Sequence, residues 1–196
     1  MIHAIENFIS KEEVDILLRY CRLAAAKNYW KYNDRENDYW KDRCIDARSL
    51  IEKPEDFGGE SAEIVRNIML DIKDRISKYI SEISQTNDTY YTDCLQLVRW
   101  PIGSSQDPHA DAEYDDHSDH PSPWREYGSI IYLNDNYTGG NTYFVNKRES
   151  MQPKSGLLAV FPGTLEYTHG VSEVGENIRY TIASFWTRQE QHNMYP

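Results

Sequence analysis

From Tyr90 onward the chain breaks into short runs rich in β-branched and aromatic residues, each bounded by turn residues: LQLVRW, YGSIIYLN, NTYFVN, GLLAVFP and RYTIASFW. Such side chains favour extended backbone, and runs this short and evenly spaced predict a β-sandwich or barrel. A structure of this kind leaves an outer sheet face to be covered. The preceding residues supply the cover. Ser10 with Glu13 makes a capping box, and Val14, Leu17, Leu18 and Cys21 recur at helical spacing, so a helix is predicted from about residue 11 to the mid-20s. After Gly58-Gly59, a four-residue rhythm of Ile64, Ile68, Ile72, Ile76 and Ile80, ending at Ile83, predicts a second amphipathic helix. The aromatic and charged stretch from Tyr29 to Arg48 has no readable period. The expected class is therefore mainly β with flanking helices: helical support over about 1–88, a β core over about 89–187, and one domain over 1–196.

Composition narrows the function. With 196 residues the chain is long enough for one well-buried core and short for two. Its net charge of −11, from 32 acidic against 21 basic residues, argues against a protein that tracks nucleic-acid phosphates, which needs clustered Lys and Arg. No run approaches the roughly 20 apolar residues of a membrane span, and MIHAIENFIS lacks the features of a signal peptide, so a soluble cytoplasmic protein is expected. Cys21, Cys44 and Cys94, odd in number and widely spaced, fit reduced thiols and are assigned no chemistry.

One constellation carries chemistry. In His109-Ala110-Asp111 an imidazole and a carboxylate lie two residues apart, and in extended backbone residues i and i+2 share a face. With His169 they would complete the two-His-one-carboxylate triad that holds iron(II) and leaves positions open for other ligands. Alone, H-x-D is a common pair that a solvated turn would also produce. Ten residues beyond His169 comes Arg179, followed by Thr181, which in an extended RYTIASFW would face one way with Ala183 and Phe185. A guanidinium there can grip a carboxylate bidentately.

Taken together, His109-x-Asp111, SIIYLND with GGNTYF, PKSGLLAVFPG, THG around His169 and RYTIASFW, with IENFISKEEVDILL at the start, resemble the 2-oxoglutarate- and Fe(II)-dependent dioxygenases of the prolyl 4-hydroxylase type. The resemblance covers nearly the whole chain in the correct order. It implies a double-stranded β-helix, the jelly-roll or cupin-like fold, backed by N-terminal α-helices. It implies His109, Asp111 and His169 as metal ligands and catalytic centre, Arg179 as the partner of the distal carboxylate of 2-oxoglutarate, and Tyr132 and Thr181 as hydroxyls beside it. Fe(II) and 2-oxoglutarate follow as cofactors, and the resemblance admits ascorbate beside them. The implied reaction is hydroxylation of an unactivated C–H by dioxygen, with release of succinate and CO2. The implied substrate is a prolyl or other amino-acid residue in a peptide or protein. Hydroxylation of a free amino acid or another small molecule, and a non-catalytic β-helix binding module, are the alternatives.

The chain also departs from that pattern. Where many relatives carry a tyrosine shortly before H-x-D, this sequence has Arg99, Trp100 and Gln106, and where many carry a basic lysine it has Arg179. The polar segment from Ala112 to Gly128 has the length of a lid or substrate loop. Within it, His117 and His120 are expected to be solvated rather than metal-bound, and Trp124-Arg125 to face substrate. Trp186 is expected in the core.

Overall fold

A computed structural model describes residues 1–30, 39–116 and 118–195. In chain order its elements are strand β1 (His3–Ile5), helix α1 (Lys11–Ala26), strand β2 (Cys44–Asp46), and helices α2 (Ala47–Glu52) and α3 (Glu60–Ile83). Strands β3 (Tyr91–Trp100), β4 (Gln106–His109), β5 (Tyr127–Tyr132), β6 (Thr142–Phe144), β7 (Glu149–Met151), β8 (Leu158–Pro162), β9 (His169–Val171) and β10 (Arg179–Thr187) follow. The strands form a six-stranded sheet in the order β1-β8-β5-β10-β3-β2 and a four-stranded sheet in the order β4-β9-β6-β7. The strands pair antiparallel, and the result is the expected double-stranded β-helix. No helix among the described residues is long and apolar enough to cross a membrane.

The two-residue period of a strand sorts side chains between the faces of the larger sheet. Leu95 and Leu97 of β3, Ile131 of β5, Leu158 and Val160 of β8, and Ile182 of β10 join one apolar cluster with the buried faces of α1 and α3. Their neighbours Val98, Trp100, Ile130, Tyr132, Ala159 and Ala183 turn the other way, towards the smaller sheet. Helices thus cover one face while the other is left to build a cavity. Trp186, wholly buried, lies in the helix-side cluster as expected.

Helix α1 starts where its cap dictates. The Ser10 hydroxyl accepts from Glu13 N at 3.2 Å while Ser10 N donates to Glu13 Oε2 at 2.7 Å, so two orphan donors are satisfied reciprocally. In α3 the buried stripe is Ala62, Val65, Met69, Ile72, Ile76 and Ile80, whereas Ile64 is 45% exposed. The isoleucine rhythm misplaced the first turns. Steps of four residues overshoot the 3.6-residue turn, so a strict four-residue stripe winds off the buried face. Strand β2 and helix α2 occupy part of the stretch that had no readable period, and residues 31–38 of it lie outside the described residues.

Candidate active site

Strands β4 and β9 pair so that His109 stands opposite His169. The rings lie 4.5 Å apart, and the two Nε2 atoms are 3.8 and 3.9 Å from Asp111 Oδ1. Each imidazole is held by its other nitrogen: His109 Nδ1 is 3.0 Å from the Asp107 carbonyl and His169 Nδ1 is 3.1 Å from the Tyr167 carbonyl. A carbonyl can only accept, so both Nδ1 atoms carry the proton and both Nε2 lone pairs face the carboxylate. Burial lowers the pKa of His169 against the raising effect of Asp111, which favours the neutral, ligating imidazole.

Asp111 does not share a strand with His109 as the i, i+2 argument supposed. Strand β4 ends at His109, and the amides of Asp111 and Ala112 both donate to Gly163 O at 3.0 Å, which turns the carboxylate inward. The side chain is almost wholly buried, and its Oδ2 has no hydrogen-bond partner. An ionised carboxylate buried without donors is costly unless a cation sits against it. Ligand atoms of the three residues lie within 4.8 Å of one another, so the residues present fit a divalent metal bound by two imidazoles and one carboxylate.

Gly128 protects this arrangement. A Cβ there would meet Asp111 Oδ2 at 2.5 Å and Phe161 Cε2 at 2.8 Å. Gly128→Ala is therefore expected to displace the carboxylate and weaken Fe(II) binding by about 10-fold or more, the scale seen for disturbed ligand supports. Iron titration of the variant checks this; unchanged affinity would mean that β5 gives way freely at this point.

The triad stands in the wall of a cavity of about 600 Å³ whose lining also includes Trp100, Arg179, Thr181, Ala183 and Phe185. The prediction that Arg179, Thr181, Ala183 and Phe185 share a face is met. Arg179 is 1% exposed, and its charge lies over the Trp100 ring at 4.8 Å and the Tyr132 ring at 5.2 Å. Its Nη2 makes a long hydrogen bond of 3.4 Å to Thr142 Oγ1, while Nε and Nη1 are buried with no partner. A guanidinium with idle donors at the end of a cavity can receive a carboxylate. Thr181 Oγ1 accepts from Trp100 Nε1 at 3.3 Å. Tyr132 is wholly buried, and its hydroxyl donates to Thr142 Oγ1 at 2.7 Å. Thr142, which links Tyr132 to Arg179, was not anticipated from sequence; its position at the start of a short strand, one residue beyond Gly139-Gly140, was the available signal.

At the mouth, His120 departs from expectation. It is half-buried rather than solvated: it lines the cavity, packs on Tyr114 at 4.6 Å, and accepts from Ser122 N through Nδ1 at 3.1 Å. It is not one of the three residues grouped about the metal position. His117 lies outside the described residues. Asp93 Oδ2 accepts from both Trp124 Nε1 (2.8 Å) and Arg125 Nε (2.9 Å), which pins the end of the loop to β3. Arg125 lines the cavity with its charge 3.9 Å from the Phe185 ring centre, whereas Trp124 stacks on His192.

Comparison with known proteins agrees with this geometry. Residues 95–188, which run from within β3 to just past the end of β10, match the model of the 2OG-Fe(II) oxygenase superfamily. Members of that superfamily are oxidoreductases that use Fe(II) and 2-oxoglutarate. The chain is 25% identical over 154 residues to prolyl 3-hydroxylase 2 of Rattus norvegicus, a match covering 67% of this chain and 22% of that protein. It thus spans about a fifth of the length of that relative. The viral collagen prolyl hydroxylase of Paramecium bursaria Chlorella virus-1, solved with 2-oxoglutarate, superposes with a TM-score of 0.67 at 18% identity, covering 95% of this chain and 94% of that one. A prolyl hydroxylase of Trichoplax adhaerens, solved with a hypoxia inducible factor peptide fragment, gives a TM-score of 0.66 at 15% identity over 97% of this chain and 84% of that one. At these identities the two structures share the fold.

Proposed function

We propose that this protein is a 2-oxoglutarate- and Fe(II)-dependent dioxygenase that hydroxylates a prolyl residue of a peptide or protein and releases succinate and CO2. One observation carries the reading: a single cavity has two imidazoles and a buried carboxylate with one partnerless oxygen in its wall, and a buried arginine with two idle donors elsewhere in its lining. His109, Asp111 and His169 would hold the metal. When bound, Fe(II) supplies the activation of dioxygen and the oxidation of the C–H bond, with 2-oxoglutarate as the accompanying reductant. The protein's own work is placement. The Asp107 and Tyr167 carbonyls keep both imidazoles turned to the metal, and Arg179 receives the distal carboxylate of 2-oxoglutarate. Thr142 ties Arg179 to the Tyr132 hydroxyl, and Thr181 is fixed by Trp100. Val98, Phe161 and Val171 keep the wall between them apolar, which limits water at the reacting centre.

The prolyl substrate is supported by relatives named as prolyl hydroxylases, one of them solved with a peptide fragment. His120, Pro121, Ser122 and Arg125 line the cavity on the loop side, where a peptide would approach. A cytoplasmic location accords with Cys21, Cys44 and Cys94 standing as buried thiols. The test is incubation of the iron-loaded protein with 2-oxoglutarate and a panel of proline-containing peptides and free amino acids. Succinate formed in step with a 16-dalton gain on a peptide proline supports the proposal. Oxidation of a free amino acid alone would transfer the function to small molecules, and binding of peptides without succinate would make the chain a binding module.

A further inference from the structure

The segment that joins β5 to β6 leaves an element of the arginine end unused. Tyr137 follows β5 by five residues, and its hydroxyl is buried with no hydrogen-bond partner, as are Nε and Nη1 of Arg179. Two complementary groups, a phenol oxygen that accepts and a guanidinium that only donates, are thus both idle in one buried region. They are also close. Gly140, at φ +62°, has room for no side chain, because a Cβ would lie 2.9 Å from Tyr137 Cε2 and 3.0 Å from Arg179 Cδ. The Tyr137 ring therefore packs near the part of the arginine stem that bears Nε. Burial raises the phenol's pKa, and the neighbouring guanidinium opposes that rise, which is the sign expected of a neutral hydroxyl beside a cation. Leaving both groups unsatisfied is costly, and a small rotation of either would pair them.

We infer that Tyr137 is a positioning residue for Arg179: its oxygen accepts a hydrogen bond from Nε–H and turns the Nη1 and Nη2 edge towards the cavity, where it meets the distal carboxylate of 2-oxoglutarate. The inference rests on the co-substrate role proposed for Arg179 and adds a residue to it. A tyrosine beyond a strand end reads in sequence as loop, and only its fold-back over Gly140 brings it to the arginine.

The test compares two oxo acids of equal chain length on the Fe(II)-loaded protein without oxygen, binding being followed by the visible absorption of the metal chelate. 2-Oxoglutarate carries the distal carboxylate and 2-oxopentanoate does not. Tyr137→Phe keeps the ring and removes the acceptor, so it is expected to weaken 2-oxoglutarate about 10-fold, the scale of one hydrogen bond to a charged group, and to leave 2-oxopentanoate unchanged. Equal weakening of both acids would make Tyr137 merely structural, and no weakening of either would remove its role; each result overturns the inference. Wild-type protein that binds the two acids equally would instead overturn the role of Arg179, and this inference with it.

Discussion

Asp111→Ala is expected to lower Fe(II) affinity about 100-fold or more, beyond the 10- to 100-fold typical of losing a group that merely supports a ligand. Two imidazoles at one wall do not make a facial site, and nothing else among the described residues groups with them. The same substitution has a second consequence of opposite sign. In the metal-free protein Asp111 is a buried carboxylate with one oxygen partnerless, a state that costs folding free energy. Removing it should leave the apo-protein as stable as wild type or more so, even though the iron-bound form is lost. Equilibrium unfolding with and without Fe(II) separates the two effects. A variant that is destabilised without iron, and still binds iron, would show that the carboxylate serves the fold.

Arg179→Met carries the second large effect. Methionine preserves much of the stem between Trp100 and Tyr132 and removes every donor. Losing two charge-assisted hydrogen bonds to a carboxylate costs roughly 3 kcal/mol or more, so the KM for 2-oxoglutarate should rise about 100-fold or more while Fe(II) affinity stays the same. Direct titration with iron and co-substrate, each in turn, reads both quantities. A normal KM would mean that the carboxylate is held elsewhere.

The periodicities that were legible in sequence were those that a long element repeats. Five runs of alternating or β-branched residues became β3, β5, β6, β8 and β10, and the Ser10–Glu13 box marked the start of α1. Strands β1, β2, β7 and β9 have three residues each, too few to display a period, and β6, equally short, was legible only through the β-branched and aromatic residues of NTYFVN. The triad was legible because H-x-D is local and because its surroundings resembled a known family. How Asp111 reaches the centre was not. The carboxylate is turned by the carbonyl of Gly163, on the far side of the sheet in sequence terms, and the space it enters depends on Gly128 lacking a side chain. Arg179 and Thr181 could be assigned to one face from strand geometry alone, whereas Thr142 and Tyr137 come to the arginine through the turn at Gly139-Gly140, which composition does not reveal.

The proposed function requires one cavity to bind metal and 2-oxoglutarate together. Anaerobic titration of the purified apo-protein with Fe(II) and then 2-oxoglutarate tests it most directly, because the chelate absorbs weakly in the visible where neither component does alone. The expected result is a band that requires both additions and is lost or weakened in Arg179→Met. Iron that fails to bind, or binds without producing the band, would contradict it.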